Sequence, residues 1–484
     1  MFEAGLSPSL CQQLQARVKQ LELQRDDLSR DLSSIYSQII ELKNHEAPIS
    51  RLPPEVLNAV FHAGRIMNDD AKVPFQVLVS RVIRSWRETS LRDPSLWDTI
   101  VVLPGHNPST IRSFLRRSRD RHLIIRLAYS SDEWPRYFTR NLEELAMHSY
   151  RWRELHIEVS DQHLMHRIIR SLGPLEVHRL EKANIQLRDC GFDNLSNFEM
   201  VVFRGGAPRL SHISLTGINP FSFLTVDTKI TMFRLSSTKY EPVFRNVGEF
   251  TLFLLSLSFI TCLVLEGCIV VGQAQLRVPL PYLQHLVLDG SSSNSYPNSL
   301  LAIIRSMKLP NLESLVIVGG STEVLREIPY PLASLKRLEL WDTSSTSLTP
   351  DVMQLIPSIT HLSLIRSNAP IILRRLRDAV SSIPWPNLHT LTIEIEAVDD
   401  NAMSEDGDFT PVRTDVDNGF TELISGVVIA RELARAPIAR LNLDSDLLCG
   451  ISDFRKAWLR GEGTELVDNG FSTFKFNLEA MMNH

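Results

Sequence analysis

Apolar residues near the start of the chain recur at alternating steps of three and four. With Cys11 as heptad position a, the a and d positions are Cys11, Leu14, Val18, Leu21, Arg25, Leu28, Leu32, Ile35, Ile39 and Leu42. Nine of these ten are apolar, and this 3.5-residue period predicts a helix that meets a partner helix along the seam. Two alternatives stay open. One is a coiled coil, with Arg17 and Glu22 pairing across a parallel homodimer; the other is an amphipathic helix packed on its own domain.

The pattern changes after residue 47, where proline residues and shorter apolar clusters begin. Pro53 and Pro54 suit the first turn of a helix, because that turn has no use for their missing N–H groups. Large apolar anchors follow at Trp86 and Trp97. We assign residues 48–103 to a small helical module. A unit of this size closes a core poorly on its own, so part of its apolar face is expected to meet another chain.

A third pattern, Leu-x-x-Leu-x-Leu with Ile or Trp allowed, recurs through residues 104–484. Units start at Trp152, Leu210, Ile260, Leu283, Leu312, Leu335, Ile359, Leu388 and Ile438. From Ile260 to Leu388 the steps are 23, 29, 23, 24 and 29 residues, a period typical of leucine-rich repeats. The two flanking steps are 50 residues each, so we expect one degenerate or inserted unit in each gap.

Such repeats predict an α/β solenoid, a horseshoe in which a short strand of each unit stacks on the next. The residues between the inward leucines would point outward on the concave face. They include His156, Ser214, Val264, Val287, Val316, Glu339, Ser363, Thr392 and Asn442. This set is not strongly charged, so it favours a protein ligand over a polyanion. The valines are either exposed there or covered by a loop.

An acidic segment interrupts the repeats near residues 397–420, inside the second 50-residue gap. Between Asp399 and Asp417 it contains seven acidic residues and one arginine, with Gly, Ser and Pro interspersed. This composition predicts a disordered insertion loop. Its spacing does not match a calcium-binding loop, so no metal is expected.

Composition narrows the class of protein. Apolar residues make up 43% and charged residues 22%, and the net charge is −5, which argues against a general nucleic-acid or anionic-membrane binder. The five cysteines form no CxxC, which predicts free thiols and a cytoplasmic or nuclear location.

The uncharged stretch from Phe250 to Leu265 is too short to span a bilayer and predicts a buried helix leading into a buried strand. Hydrolase, zinc-protease and nucleotide-binding motifs are absent, so we expect neither catalysis nor a cofactor.

The helical module resembles a known family. Leu-Pro-Pro-Glu-Val-Leu at 52–57 is followed by Ser-Trp-Arg at 85–87 and Asp-Pro-Ser-Leu-Trp at 93–97. This combination is similar to the F-box of fungal F-box proteins, over about fifty residues. Ile83 stands where many relatives have Cys, which keeps the position apolar.

The resemblance implies docking to the Skp-type adaptor of a cullin–RING ubiquitin ligase. On that analogy Leu52, Pro53, Val56 and Leu57 would lie at the adaptor surface, while Trp86 and Trp97 would be structural. The repeats would then hold an unidentified protein target. Three other interpretations stay open: a helical cap on the repeats, a ligase-independent scaffold dimerised through residues 11–42, and an enzyme with a site hidden in the repeats.

Overall fold

A computed structural model describes most of the chain. The described residues are 8–67, 73–129, 136–188, 201–223, 229–237, 242–272, 276–291, 299–319, 322–328, 330–343, 348–365, 369–378, 383–394, 413–443, 448, 456–457, 460 and 464–468. Two compact units share it. The helical unit comprises Met1–Ile100 and Arg112–Arg121, and the sheet unit comprises Val101–Ile111 and His122–His484.

The fold is mixed α/β, with a long N-terminal helix and a large parallel sheet. The helices are α1 Pro8–Glu46, α2 Pro54–Met67, α3 Phe75–Val82, α4 Arg84–Arg92, α5 Pro108–Arg117, α6 Phe138–Ala146, α7 Gln162–Leu172, α8 Val247–Ser256, α9 Ser299–Arg305, α10 Pro350–Leu355, α11 Ala369–Asp378 and α12 Arg413–Leu433. Over the described ranges no helix is long and apolar enough to cross a membrane.

The strands are short, and eight of the sixteen in the described residues have five residues. They are β1 Thr99–Val102, β2 Leu123–Tyr129, β3 Trp152–Val159, β4 Lys182–Leu187, β5 His212–Thr216, β6 Met232–Ser236, β7 Cys262–Glu266, β8 Val278–Pro279, β9 His285–Asp289, β10 Met307–Lys308, β11 Ser314–Val318, β12 Arg337–Trp341, β13 His361–Ile365, β14 Thr390–Glu394, β15 Arg440–Leu443 and β16 Glu465–Asp468. The boundary between the two units falls within β1.

The main sheet of the sheet unit follows the order of the chain. From β2 its order is β2-β3-β4-β5-β6-β7-β9-β11-β12-β13-β14-β15-β16, and β8 pairs separately with β10. The pairs described are parallel, which requires a crossover connection between successive strands. Open edges remain, so the described strands do not close into a barrel.

The sheet stacks chemically similar residues in register. Leu286, Leu315, Leu338, Leu362 and Leu391 are consecutive partners across five strands, and all are fully buried. A second inner row two residues further along the strands is equally buried. Its members on β9, β11, β12, β13 and β14 are Leu288, Ile317, Leu340, Leu364 and Ile393. The inner face of the sheet is therefore a continuous apolar core.

Two strands occur where the leucine pattern is weak. β4 carries Ala183 and β6 carries Phe233 where neighbouring strands have Leu or Ile. The Phe233 ring packs edge-on against Phe253 of α8, with centroids 5.1 Å apart. β6 lies in the first 50-residue gap, where one degenerate or inserted unit was expected. In the second gap β14 pairs directly with β15, so that gap holds no further strand of the sheet.

The second gap instead contributes the helix α12. The prediction of an insertion loop over residues 397–420 is wrong from Arg413 onward, because α12 begins there. Leu423, Ile424 and Val427 are buried and recur at helical spacing, so they anchor this helix. Residues 395–412 lie outside the described ranges.

The uncharged stretch from Phe250 to Leu265 forms part of α8 and then β7, as predicted. Phe250 and Phe253 are buried, but Leu252 and Leu255 on the opposite face of α8 are exposed. The helix is therefore buried on one side only, although its sequence is apolar all round.

Candidate protein-docking surfaces

Aromatic side chains from the sequence motifs pack in the core of the helical unit. The Phe61 ring of α2 packs edge-on against Trp86 of α4, with centroids 5.3 Å apart. The Trp97 indole is fully buried, donates its Nε1–H to the Ser90 carbonyl at 2.8 Å, and packs edge-on against Phe114. Both tryptophans thus have structural contacts, as the sequence predicted.

The Asp-Pro-Ser-Leu-Trp motif forms a 3₁₀ turn over Pro94–Trp97. Asp93 caps this turn, because its carboxylate accepts hydrogen bonds from the Ser95 backbone N–H at 2.9 Å and the Ser95 hydroxyl at 2.5 Å. The same carboxylate lies 2.9 Å from Nε2 of His62 on α2. Partial burial raises the pKa of Asp93, but the hydrogen bonds from Ser95 and His62 outweigh it, so the pKa lies below its usual value.

A second polar link joins α2 to this turn. Arg65 donates to the Ser95 carbonyl and to the Asp98 carboxylate, both at 2.7 Å. The motif residues are some thirty positions apart in the chain, and these bonds fix α2 against the turn. On the side of α2 away from this turn, Val56 and Val60 stay partly exposed to solvent.

The four predicted adaptor residues differ in their exposure. Pro53 and Val56 are exposed, Leu52 is half-buried, and Leu57 is only 4% exposed. The prediction that Leu57 lies on a surface is therefore corrected: on this helix Leu57 and Phe61 face inward at a spacing of four. The outward face carries Pro53, Val56 and Val60, which we call the α2 ridge.

The exposed apolar surface is larger than the sequence suggested. Val56 and Val60 are each 43% exposed, and Leu78 and Val82 of α3 are exposed as well. Val60, Leu78 and Val82 were not singled out as site residues. Their i, i+4 spacing could have identified them, once the inward residues Phe61 and Val79 were known.

The outward face of the sheet is the second candidate surface. Its central row runs in register through His156, Asn184, Ser214, Arg234, Val264, Val287, Val316, Glu339, Ser363, Thr392 and Asn442. All nine outward positions predicted from the sequence therefore lie in one row. The middle of the row is apolar and buried. Val264, Val287 and Val316 form a cluster with Met232 and Cys262, against which Trp341 packs.

The valines of the outward row are therefore buried rather than exposed, and the residues clustered with them belong to neighbouring strands. On either side of the cluster the row is polar. Glu339 is half-buried, and burial raises the pKa of its carboxyl. Further along, the Asn442 amide donates to the Thr392 hydroxyl at 2.9 Å.

Charged groups border the apolar cluster on the N-terminal side of the sheet. Arg234 and Glu266 form an ion pair of 2.7 Å, and the Ser236 hydroxyl donates a hydrogen bond to the Glu266 carboxylate.

Burial raises the pKa of the Cys262 thiol to about 11, so this cysteine stays protonated at neutral pH. Within the described residues, no group of three or more His, Cys, Asp or Glu is arranged to hold a metal.

The heptad seam of α1 is the third candidate surface. Its eight apolar residues from Leu14 to Leu42 are between 42% and 68% exposed. The Arg25 guanidinium donates to the Asp26 carboxylate of its own helix at 2.8 Å. The side chain of Cys11 lies outside the described part of the chain.

No protein-family profile matches this chain, and no curated protein matches it. The geometry of its three surfaces is therefore the basis for any functional assignment.

Proposed function

We propose that this chain is the substrate-recognition subunit of a cullin–RING ubiquitin ligase of the SCF type. In this proposal the helical unit is an F-box that docks on a Skp-type adaptor. The sheet unit is a leucine-rich-repeat solenoid that binds the protein target. The chain itself performs no chemistry.

One observation carries the proposal: the α2 ridge. The motif residues around Asp93, Trp86 and Trp97 all have contacts within the helical unit, yet Val56 and Val60 remain exposed side by side. Full burial of an exposed valine side chain contributes about 1.5–3 kcal/mol, and a partner that covers the ridge would gain the fraction of this that is still exposed. A small module that exposes an ordered apolar row is suited to docking.

The solenoid interpretation rests on the register of the sheet. Each strand places its two inward residues beside those of the next strand, so no unit can bury its apolar side alone. The connections between the strands include helices such as α7, α9 and α11. Repeats stacked in this way would present the outward row to a protein ligand.

Function would then follow from proximity. The α2 ridge would tie the chain to the ligase core, and the sheet unit would hold the target near the charged conjugating enzyme. Tethering raises the effective concentration of the target's lysines without any catalytic group on this chain.

The test is co-purification of the full chain with a co-expressed Skp-type adaptor. Wild type should retain the adaptor, and Val56→Asp/Val60→Asp should weaken binding at least about tenfold, because it places two charges in an apolar contact. Met147→Asp/Leu433→Asp is the matched control, since it changes two exposed apolar residues of the sheet unit.

Circular dichroism and the unfolding midpoint show whether each variant stays folded. Loss of the adaptor by both double variants, or by neither, would contradict docking through the α2 ridge. If folded wild type never binds the adaptor, the F-box assignment fails.

The exposed seam of α1 favours a second candidate, a ligase-independent scaffold dimerised by its coil. It predicts complexes without cullin. Cullin in the purified adaptor complex would reject it.

A further inference from the structure

We infer that α1 pairs with α1 of a second copy of this chain, and that the two helices run antiparallel. The observation is the exposed seam from Leu14 to Leu42 on a 39-residue helix. A helix of this length with an unpaired 3.5-residue apolar stripe requires a partner. The seam itself identifies that partner, because its two ends are complementary to each other.

The complementarity concerns the register, that is, which seam positions of the two helices face each other. In an antiparallel pair, a positions of one helix meet d positions of the other. In the register in which the residue numbers of two facing residues add up to 53, each of the ten seam positions faces a seam position of the other helix. The pairs are Cys11 with Leu42, Leu14 with Ile39, Val18 with Ile35, Leu21 with Leu32, and Arg25 with Leu28. A shift of one heptad in either direction leaves part of the seam unpaired.

Arg25, the one charged seam residue, opposes a parallel arrangement. In a parallel dimer two Arg25 side chains would meet in the same central layer and point the same way. In the antiparallel register each Arg25 faces a Leu28, about 4.5 Å along the axis from the other Arg25 layer. Helical side chains lean toward their own N-terminus, so the two guanidinium groups then diverge.

The charges of the two halves of α1 favour the same direction. Residues 8–26 carry three cations and two anions, net +1, and residues 27–46 carry two cations and four anions, net −2. An antiparallel pair brings opposite halves together, and a parallel pair brings like halves together. The alternative parallel dimer offers the contact between Arg17 and Glu22 and its symmetry mate, but both residues are exposed, where ion pairs contribute little. Arg17 already donates to Gln20 of its own helix at 3.0 Å.

The consequence is a bivalent molecule. Two α2 ridges and two sheet units would belong to one assembly. A target with two binding segments would therefore bind the dimer more tightly than it binds a single copy. Dimerisation itself does not rest on adaptor binding.

The first test is the mass of the full chain in solution. Light scattering at about 10 µM should give twice the chain mass of 55.0 kDa. Leu21→Asp should give the monomer, because it places a charge opposite Leu32 of the partner in both symmetry-related layers. Leu23→Asp is the matched control, since Leu23 is also exposed but lies outside the seam and should leave the dimer intact.

A monomeric wild type would overturn the inference, and so would a Leu21→Asp variant that remains a dimer. Circular dichroism of both variants shows whether α1 stays helical. Adaptor co-purification by monomeric Leu21→Asp would separate this inference from the proposed function, because the seam and the α2 ridge are different surfaces.

The second test decides the direction. In a Cys11→Ser background, Leu14→Cys/Ile39→Cys should form an intermolecular disulfide between positions 14 and 39, identified by peptide mapping. Leu14→Cys alone should not cross-link, because the two copies of position 14 would be about 37 Å apart, far beyond disulfide reach. Efficient cross-linking of the single Leu14→Cys variant would establish the parallel pair and reject the antiparallel one.

Discussion

The helical unit and the sheet unit use apolar residues in different ways. In the sheet unit, the inward leucines of successive strands lie in register and are fully buried by their neighbours in the same chain. In the helical unit, α1 and α2 present ordered apolar rows to solvent. The sheet unit therefore draws its stability from its own stacking, whereas the helical unit leaves ordered apolar rows exposed.

The largest expected effect is in the inner rows of the sheet. Leu338 lies between Leu315 and Leu362 and is fully buried. Leu338→Ala should lower the free energy of unfolding by about 2–5 kcal/mol, because it removes buried methyl groups and leaves a cavity. Urea unfolding followed by circular dichroism measures this. The exposed Leu433→Ala should stay within about 0.5 kcal/mol of wild type, and equal effects would break the contrast between buried and exposed leucines.

A buried cation in the sheet unit should give a somewhat smaller effect. Arg431 of α12 is 1% exposed and donates to the backbone carbonyls of Pro384, Trp385, Leu388 and Ala436 at 2.9–3.2 Å. Burial lowers the pKa of its guanidinium to about 10. Arg431→Met should reduce stability by about 2–3 kcal/mol, because it leaves buried carbonyls without donors.

The control for Arg431 is Arg374→Met on the exposed face of α11, which should change little. Both are measured by thermal unfolding. A neutral Arg431→Met would mean that water replaces the guanidinium in these bonds.

In the helical unit a smaller effect is expected at a glycine. A Cβ at Gly64 of α2 would overlap the Phe75 ring of α3, so these two helices approach closely there. Gly64→Ala gains about 1 kcal/mol of helix propensity but loses about 1–3 kcal/mol through overpacking. We expect a net loss of about 1 kcal/mol that Phe75→Leu partly restores. Additive effects in the double-mutant cycle would rule out this contact.

The smallest expected effect is a difference between the two units in how their stability depends on pH. Burial lowers the pKa of five histidines of the sheet unit: His106, His148, His212, His285 and His361. Their folded pKa lies below the unfolded value of about 6.5, so the stability they contribute is present above that pH and declines as the pH falls below it. The lowered pKa of Asp93 acts in the helical unit only below about pH 4.

Hydrogen exchange at pH 7.5 and pH 5.5 resolves the two units. Protection should fall in the sheet unit and remain in α2 and α4. An equal loss of protection in both units would contradict this assignment.

Local patterns in the sequence determined much of this protein. The leucine period located most of the strands. The heptad period located α1. These features follow from side-chain periodicity, which a chain carries whether or not it is folded.

The tertiary structure alone decided which apolar residues face solvent. Leu57 and Val56 are adjacent in sequence, yet Leu57 is buried and Val56 is exposed. The reason is that one face of α2 packs against Trp86 and the turn after Asp93. β4 was missed because Ala183 replaces a leucine, and α12 extends back into an acidic segment because Leu423 and Val427 anchor it. The outward valines are buried by their neighbours across the sheet. In each case the deciding contact joins residues far apart in the chain, and no local pattern records it.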